Sequence, residues 1–352
     1  MSDPSVPIVS AIVPARNEAL NIARAVRSLA TQPDLQEIIV VDDDSEDETA
    51  ATLSGLQSIL SALRVVSLNS LPAGWLGKPH AVAEGARHAR GDWLLFTDAD
   101  VEHLPGSLRE LLDLAEREGA DLLSVSPGQR TPTWWEKAVI PLVYVQLAGL
   151  YRFDEVNDPA SGTAAANGQY ILIRRRAYER VGGHQAVREE VLEDVALARR
   201  VKAGGGRILF LPGAEWVQTR MYRTFREMWR GWTKNLFLLY GGNSWKIARA
   251  VSKLIAVWLA GALALAFALA LIRNSQAAWV PTALIVTVAI FFWQQTVYRR
   301  NLRRLGFSGN LASYFWLGAP LFILMLLNSV RAYKLGGAVQ WKGRTYSVKG
   351  AL

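Results

Sequence analysis

Up to about residue 130 the chain alternates between short apolar runs and polar stretches that carry an apolar residue every three or four positions. Runs at 8–13, 37–41, 63–68, 93–96 and 121–126 are four to six residues long and bounded by Pro, Gly, Asp or Asn. Such runs predict buried strands. Between them, Ile22, Val26 and Leu29 fall on one face of a helix, and a second helix starts near Asp47. The segment 69–78 holds Pro72, Gly74 and Gly77 and reads as a loop. Helices are predicted at 79–90, closed by Gly91, and from Pro105 to Glu118. Strand and helix in alternation predict a doubly wound, mostly parallel α/β sheet.

After Thr133 the pattern changes. Residues 134–151 (WWEKAVIPLVYVQLAGLY) are apolar with few charges, and residues 222–240 mix Arg223, Arg226, Arg230 and Lys234 with Trp229, Trp232 and Phe237. Both read as interfacial helices, with a buried helix as the alternative for the first. Residues 161–168 (SGTAAANG) are small, so backbone can approach a ligand there. Strands are predicted at 170–173 and 207–211, and helices at 176–181 and 191–203, the latter opened by Glu193 and Asp194. Three apolar windows follow, at 254–272, 279–297 and 311–330. Each is about 28–30 Å long as a helix, which matches a bilayer core.

Length and charge sharpen this division. A chain of 352 residues accommodates about two or three domains. The predicted units are a 1–240 domain, a 241–335 membrane domain and a basic 336–352 tail. The hydrophobic fraction is 51% and the net charge +8. The basic residues crowd beside apolar segments, which points to anionic headgroups and away from nucleic acid. Lys246, Arg249 and Lys253 precede the first window, and Arg299, Arg300, Arg303 and Arg304 follow the second, with an uncharged loop at 274–278 between. Both basic groups then lie in the cytosol, and the first domain with them. The third window holds Pro320. A full crossing would put Arg331, Lys334, Lys342, Arg344 and Lys349 outside, so a broken segment with a cytosolic tail is expected. No signal peptide is read at the N-terminus. The chain has no cysteine, which removes disulfide and thiolate–metal chemistry.

The candidate chemistry lies where strands end. Trp93-Leu94-Leu95-Phe96 runs directly into Thr97-Asp98-Ala99-Asp100, and the 37–41 strand runs into Asp42-Asp43-Asp44. In a parallel sheet these ends share one edge, where ligands bind. Carboxylates there suit Mg2+ or Mn2+, with a diphosphate completing the shell. The alternative for the first cluster is an acidic turn, and for the second a solvated helix N-terminus. His80, His88, His103 and His184 have no metal-ligand spacing. Of these, His184 is expected nearest an acceptor.

These stretches resemble the family-2 inverting glycosyltransferases of the GT-A fold. The resemblance rests on IVPARNE (12–18), VVDDDSEDET (40–49), GKPHAVAEGARHARGDWLLFTDAD (77–100), GTAAANGQYILIRR (162–175) and EDVALARR (193–200). LPAGWLGK (71–78), the apolar last third and WKGRTY (341–346) are most similar to the membrane members that glycosylate ceramides, hopanoids, carotenoid acids or polyprenyl phosphates.

The resemblance implies a nucleotide-sugar site, a UDP-sugar donor and a membrane lipid acceptor. Asp42 or Asp43 would contact the base beside Pro14, Ala15, Arg16 and Glu18. Lys78 would reach the uridine or diphosphate, Asp98 the ribose or sugar, and Asp100 the Mg2+ or Mn2+ ion. Asp194 would be the general base that inversion requires, oriented by Glu193. Gly162, Asn167, Arg226, Arg230 and Trp232 would face the acceptor or the diphosphate. Processive members carry Gln-x-x-Arg-Trp, whereas this chain has Arg226-Glu-Met-Trp-Arg230-Gly-Trp232, which favours transfer of a single sugar. A processive polysaccharide synthase and a non-catalytic nucleotide-sugar-binding scaffold remain alternatives. The expected location is the inner (plasma) membrane, multi-pass, with the catalytic domain cytosolic.

Overall fold

The computed structural model describes residues 8–272, 279–336, 338–341 and 343–347. The expected loop at 274–278, and Lys342 and Lys349, lie outside the described residues. The chain runs β1 (Val9–Ala15), α1 (Ile22–Ala30), β2 (Leu35–Asp43), α2 (Thr49–Gln57), β3 (Leu63–Leu68), α3 (Gly77–His88) and β4 (Trp93–Thr97). It continues through β5 (Val101–His103), α4 (Ser107–Arg117), β6 (Leu122–Gln129), α5 (Trp134–Leu150), α6 (Phe153–Asn157), β7 (Tyr170–Arg174), α7 (Arg175–Arg180), α8 (Glu193–Ala203) and β8 (Ile208–Thr219). The last third holds α9 (Phe225–Leu239), α10 (Ser244–Ile272), α11 (Trp279–Arg304), α12 (Phe315–Lys334), β9 (Ala338–Trp341) and β10 (Arg344–Ser347).

Among the described residues, eight strands form one sheet in the order β3-β2-β1-β4-β7-β6-β8-β5. Strands β1, β2, β3 and β4 are mutually parallel, as is the pair β6 and β8. The sheet departs from a wholly parallel one at β7, which lies antiparallel between β4 and β6, and at the edge strand β5. One face is covered by α1, α2 and α4, where Ile22, Val26, Leu29, Leu53, Leu108 and Leu111 are completely buried. Helices α3, α7 and α8 cover the other face. Gly85 of α3 has no room for a side chain, since a Cβ there would stand 2.4 Å from Ile12 Cγ2. That contact draws α3 onto β1.

The apolar helices α5, α9, α10, α11 and α12 build a separate core. Helices α5 and α9 each open with a Thr-x-x-Glu capping box, Thr133 with Glu136 and Thr224 with Glu227. Glu136 is buried and pairs with Arg220 at 2.8 Å, which compensates its charge. Residues 135–144 of α5 are almost all buried, so the packing gives this stretch the buried alternative, with Trp134 left exposed. Helix α12 lies on α5 and α9. A Cβ on Gly318 would stand 2.0 Å from Ala138 O. Ser329 Oγ donates to Thr233 O at 2.6 Å and accepts from Phe237 N at 2.9 Å, so this hydroxyl bridges two successive turns of α9. Tyr333 Oη donates to Lys234 O at 2.6 Å.

Among the described residues, three segments are long and apolar enough to cross a membrane: Ser244–Ala264, Pro281–Arg304 and Gly309–Lys334. The third includes a 3-10 turn, Gly309–Tyr314, ahead of α12, and keeps Pro320 inside the helix.

Candidate active site

The parallel register brings the carboxyl ends of β1, β2 and β4 to one edge, with Ala15 opposite Asp42 and Ile12 opposite Phe96. Because β7 runs antiparallel, Tyr170 pairs with Thr97, and the loop entering β7 arrives at that same edge. Thr97 Oγ1 donates to Gln169 O at 2.9 Å, and Ser124 Oγ accepts from Asn167 N at 2.8 Å. Two strand hydroxyls therefore fix the loop that faces Asp98.

A cleft of about 980 Å3 lies over this edge, lined by Pro14, Ala15, Arg16, Glu18, Asp43, Lys78, Asp98 and Asp100 among others. Strand alternation separates the two candidate base contacts. Asp43 faces the cleft, whereas Asp42 Oδ1 accepts from Ser45 N at 3.2 Å and holds the turn. Arg16 Nη1 donates to the carbonyls of Asp43 and Asp44, each at 2.6 Å, and so fastens the β1 loop to the β2 loop. Asn17 and Asp44 take left-handed backbone angles, φ 53° and 57°. Asn and Asp tolerate that region best among residues with a side chain. Asn17 also locks the loop, through Asn17 N to Ser45 Oγ and Glu46 N to Asn17 Oδ1.

A second chamber of about 1030 Å3 adjoins the first. Its walls are mostly apolar, from Tyr144, Leu147, Tyr151, Phe153, Phe210, Trp232, Leu239 and Leu305. The two cavities share Lys78, Asp98, Gln169, Met221, Lys234 and Asn235. Glu193 and Asp194 line the apolar chamber near that shared wall. Asp194 Oδ2 accepts from Gly168 N and Oδ1 from Val195 N, both at 2.8 Å. Burial, then the Glu193 carboxylate, pushes the Asp194 pKa up to about 6, against the opposing pull of Lys78 and the two N–H donors.

Lys78 Nζ lies 2.8 Å from Asp98 Oδ1 and 3.0 Å from Glu193 Oε1. Burial acts to lower its pKa, but Asp98, Glu193 and Asp194 outweigh that and raise it well above the ordinary value, so it stays charged. It thus ties the cleft to the chamber. On α9 the expected cations sit elsewhere. Arg226 is exposed and lines neither cavity, and Arg230 is exposed at the outer mouth. The inward cation is Lys234, one turn further along, which lines both cavities. Burial lowers its pKa to about 8, with the nearby acids, Glu193 foremost, opposing.

Gly162 lines neither cavity, and a Cβ there would meet open space. Close backbone approach is needed instead at Gly168, where a Cβ would stand 2.9 Å from Lys78 Nζ. Asn167 and Trp232 do line the apolar chamber. The indole Nε1 of Trp232 is buried without a hydrogen-bond partner. His184 packs behind the acids against Phe96 and Tyr178, outside the chamber wall. Burial, helped by Lys78, takes its pKa down to about 3, so it is neutral. Lys234, Asn235, Gln169 and Tyr144 were not singled out from the sequence as site residues. The signal available was the i, i+4 row Arg226, Arg230, Lys234 on α9.

Among the described residues no group of three or more His, Cys, Asp or Glu could hold a metal by itself. Asp98 and Asp100, both on the polar cleft, fit a hard divalent cation whose remaining ligands are diphosphate oxygens and water.

Comparison with known proteins agrees with this fold. The sequence pattern described as glycosyl transferase family 2 matches residues 10–182. The 4,4'-diaponeurosporenoate glycosyltransferase of Staphylococcus aureus (strain MRSA252) is 30% identical over 341 residues, 96% of this chain and 88% of the relative. Its counterpart in strain USA300 is 29% identical over the same coverage. Among solved structures, a mannosyltransferase from Pyrobaculum calidifontis in complex with GDP-Man and Mn2+ superposes with TM-score 0.53 at 18% identity, covering 94% of this chain and 86% of that one. That likeness shows a shared GT-A fold.

Proposed function

The chain belongs to glycosyl transferase family 2, and we propose that it transfers one sugar from a UDP-sugar to an apolar membrane acceptor at the cytosolic face of the membrane. The observation that carries this reading is the wall shared by a polar cleft and an apolar chamber, with Asp194 beside it. A nucleotide sugar fits the cleft of Asp43, Asp98 and Asp100. An acceptor with a long hydrocarbon body fits the chamber, whose lining residues Leu147, Leu239 and Leu305 belong to the region that α11 enters. The relative named above acts on a carotenoid acid, which is a molecule of this kind.

In this mechanism Glu18 and Asp43 hold the nucleoside, and Asp98 orients the ribose or sugar. Asp100 would hold Mg2+ or Mn2+, which supplies Lewis-acid stabilisation of the departing diphosphate. Where the acceptor group is a hydroxyl, it gives its proton to the Asp194 carboxylate while its oxygen bonds to the anomeric carbon; a carboxylate acceptor, ionised already, forms that bond with no proton to give. The bond from that carbon to the diphosphate breaks, and the electron pair leaves on the nucleotide. Lys234 offers positive charge to the leaving oxygens from within a dry site, where it counts most. The N–H groups of Gly168 and Val195 fix the orientation of the base, and Glu193 keeps its proton affinity up. The unpartnered Trp232 N–H offers a hydrogen bond to the acceptor oxygen.

Mass spectrometry of lipid extracts from cells with and without the protein tests the reading. One hexose-sized increment on one lipid class is the expected result. A ladder of increments would instead show polymerisation. No release of nucleotide with any donor and a native lipid extract would show a non-catalytic scaffold.

A further inference from the structure

We infer that the C-terminal hairpin β9–β10 is a wall of the nucleotide site, and that the tail therefore stays on the same side of the membrane as the catalytic cleft. This rests on the reading of that cleft as a nucleotide-sugar site.

The hairpin is formed by antiparallel pairing of Arg344 with Trp341 and of Ser347 with Ala338. Its tight turn passes through Gly343 at φ 78°, a left-handed angle that suits glycine. Gly343 lies against the sheet domain, far from it in sequence. A Cβ on it would stand 4.0 Å from Arg16 Nη2, and Arg16 is the residue that fastens the loops after β1 and β2. The same glycine lines an outer cavity of about 1270 Å3 together with Asn17, Glu18, Asp100, Arg223 and Arg230. That cavity continues into the polar cleft, because Glu18, Asp100, Met221 and Tyr222 line both. The hairpin thus borders the part of the cleft lined by Glu18 and Asp100, the proposed nucleoside and metal contacts.

The path of α12 delivers the hairpin there. Its start is tied to α10, where Trp258 Nε1 donates to Trp316 O at 3.2 Å. Its end is tied to Lys234, a residue of the cleft wall, through Tyr333. The second residue after α11 is already back at the sheet domain, since a Cβ on Gly306 would stand 2.4 Å from Ala214 Cβ. The first turn of α12 packs on α5, where a Cβ on Gly318 would stand 2.0 Å from Ala138 O, and its end meets Lys234, so both ends of the helix lie near the catalytic unit. It does not carry the chain across. On this path α10 and α11 are the crossings, and α12 runs along the catalytic unit.

The absence of cysteine makes a direct test possible. The full chain carrying Gly343→Cys, in lipid nanodiscs, is labelled with a thiol reagent with and without UDP and Mn2+, while calorimetry measures UDP binding. At UDP ten times its Kd, labelling is expected to slow about tenfold, because only free protein is accessible. UDP bound with labelling unchanged overturns the hairpin's role and leaves the donor reading standing. No UDP binding at all overturns both. A chain ending at Gly336 supplies a second measure: its Kd for UDP is expected to rise about tenfold or more with unchanged thermal stability in the absence of nucleotide. Equal affinity in the shortened chain overturns the proposal. Membrane-impermeant labelling of the same cysteine is expected in inside-out vesicles, and labelling in intact cells would exclude the placement of the tail.

Discussion

Gly168 donates its backbone N–H to Asp194 Oδ2 at 2.8 Å, and a Cβ at position 168 would stand only 3.2 Å from that oxygen. The proposed base is therefore oriented by a backbone group where an added side chain would press on both Asp194 and Lys78. Gly168→Ala is expected to lower kcat by about 10- to 100-fold, since small misplacements of a reacting group cost that much. Circular dichroism should remain that of the parent. An unchanged kcat would remove Gly168 from the orienting role.

Asp194→Asn keeps the shape of the side chain and removes its basicity. Turnover should fall by about 10²- to 10⁴-fold, while UDP binding measured by calorimetry is retained. A near-normal rate would show that another group takes the proton.

The pH profile follows from the same residue. Burial and Glu193 hold the Asp194 pKa at about 6. The base acts only when deprotonated, so kcat for a hydroxyl acceptor should rise as pH increases through about 6 and fall again above about 8, where Lys234 loses its charge. Glu193→Gln removes one of the influences that raise the pKa, so the rising limb should move to lower pH. A limb that does not move would assign the titration to another group.

The cation on α9 is decided by direction. Lys234→Met should reduce kcat by about 10²-fold or more, the typical cost of losing a group that stabilises transition-state charge. Arg226→Ala should leave it near the parent, because Arg226 points to solvent. Steady-state kinetics of the two variants, side by side, check this.

Metal dependence separates binding from chemistry. Chelation should abolish transfer, and Mg2+ or Mn2+ should restore it. Asp100→Asn should weaken Mn2+-dependent binding of UDP in calorimetry. Binding of UDP that is indifferent to both treatments would rule out a metal at Asp100.

Packing makes a stability prediction. Gly318→Val would place a Cβ 2.0 Å from Ala138 O, so α12 must shift away from α5. Overpacking of this kind costs about 1–3 kcal/mol, read as a lower Tm. Ser329→Ala removes the hydroxyl that bridges Thr233 and Phe237 and should cost about 1 kcal/mol.

By itself the sequence determined the element types. Strand runs of four to six residues ending in acids, the inward row Ile22, Val26 and Leu29, and the apolar windows all reflect local periods of 2 and 3.6, which neighbours in the chain suffice to fix. It also pointed to acids at the ends of β2 and β4 and in the first turn of α8, which the structure gathers at two adjoining cavities. The tertiary structure decided which side chains face those cavities. Asp43 rather than Asp42 reaches the cleft; the end of β2 is buried on both faces, so the apolar pattern did not reveal which face held the ligand. Every fourth residue advances about 40° around a helix, so the row from Arg226 turns from solvent into the cleft by Lys234. Only the docking of α9 against α12 sets where that turn falls. The antiparallel insertion of β7, which brings Gly168 to Asp194, and the return of α12 to the catalytic unit depend on contacts between residues far apart in the chain. No local pattern encodes such contacts.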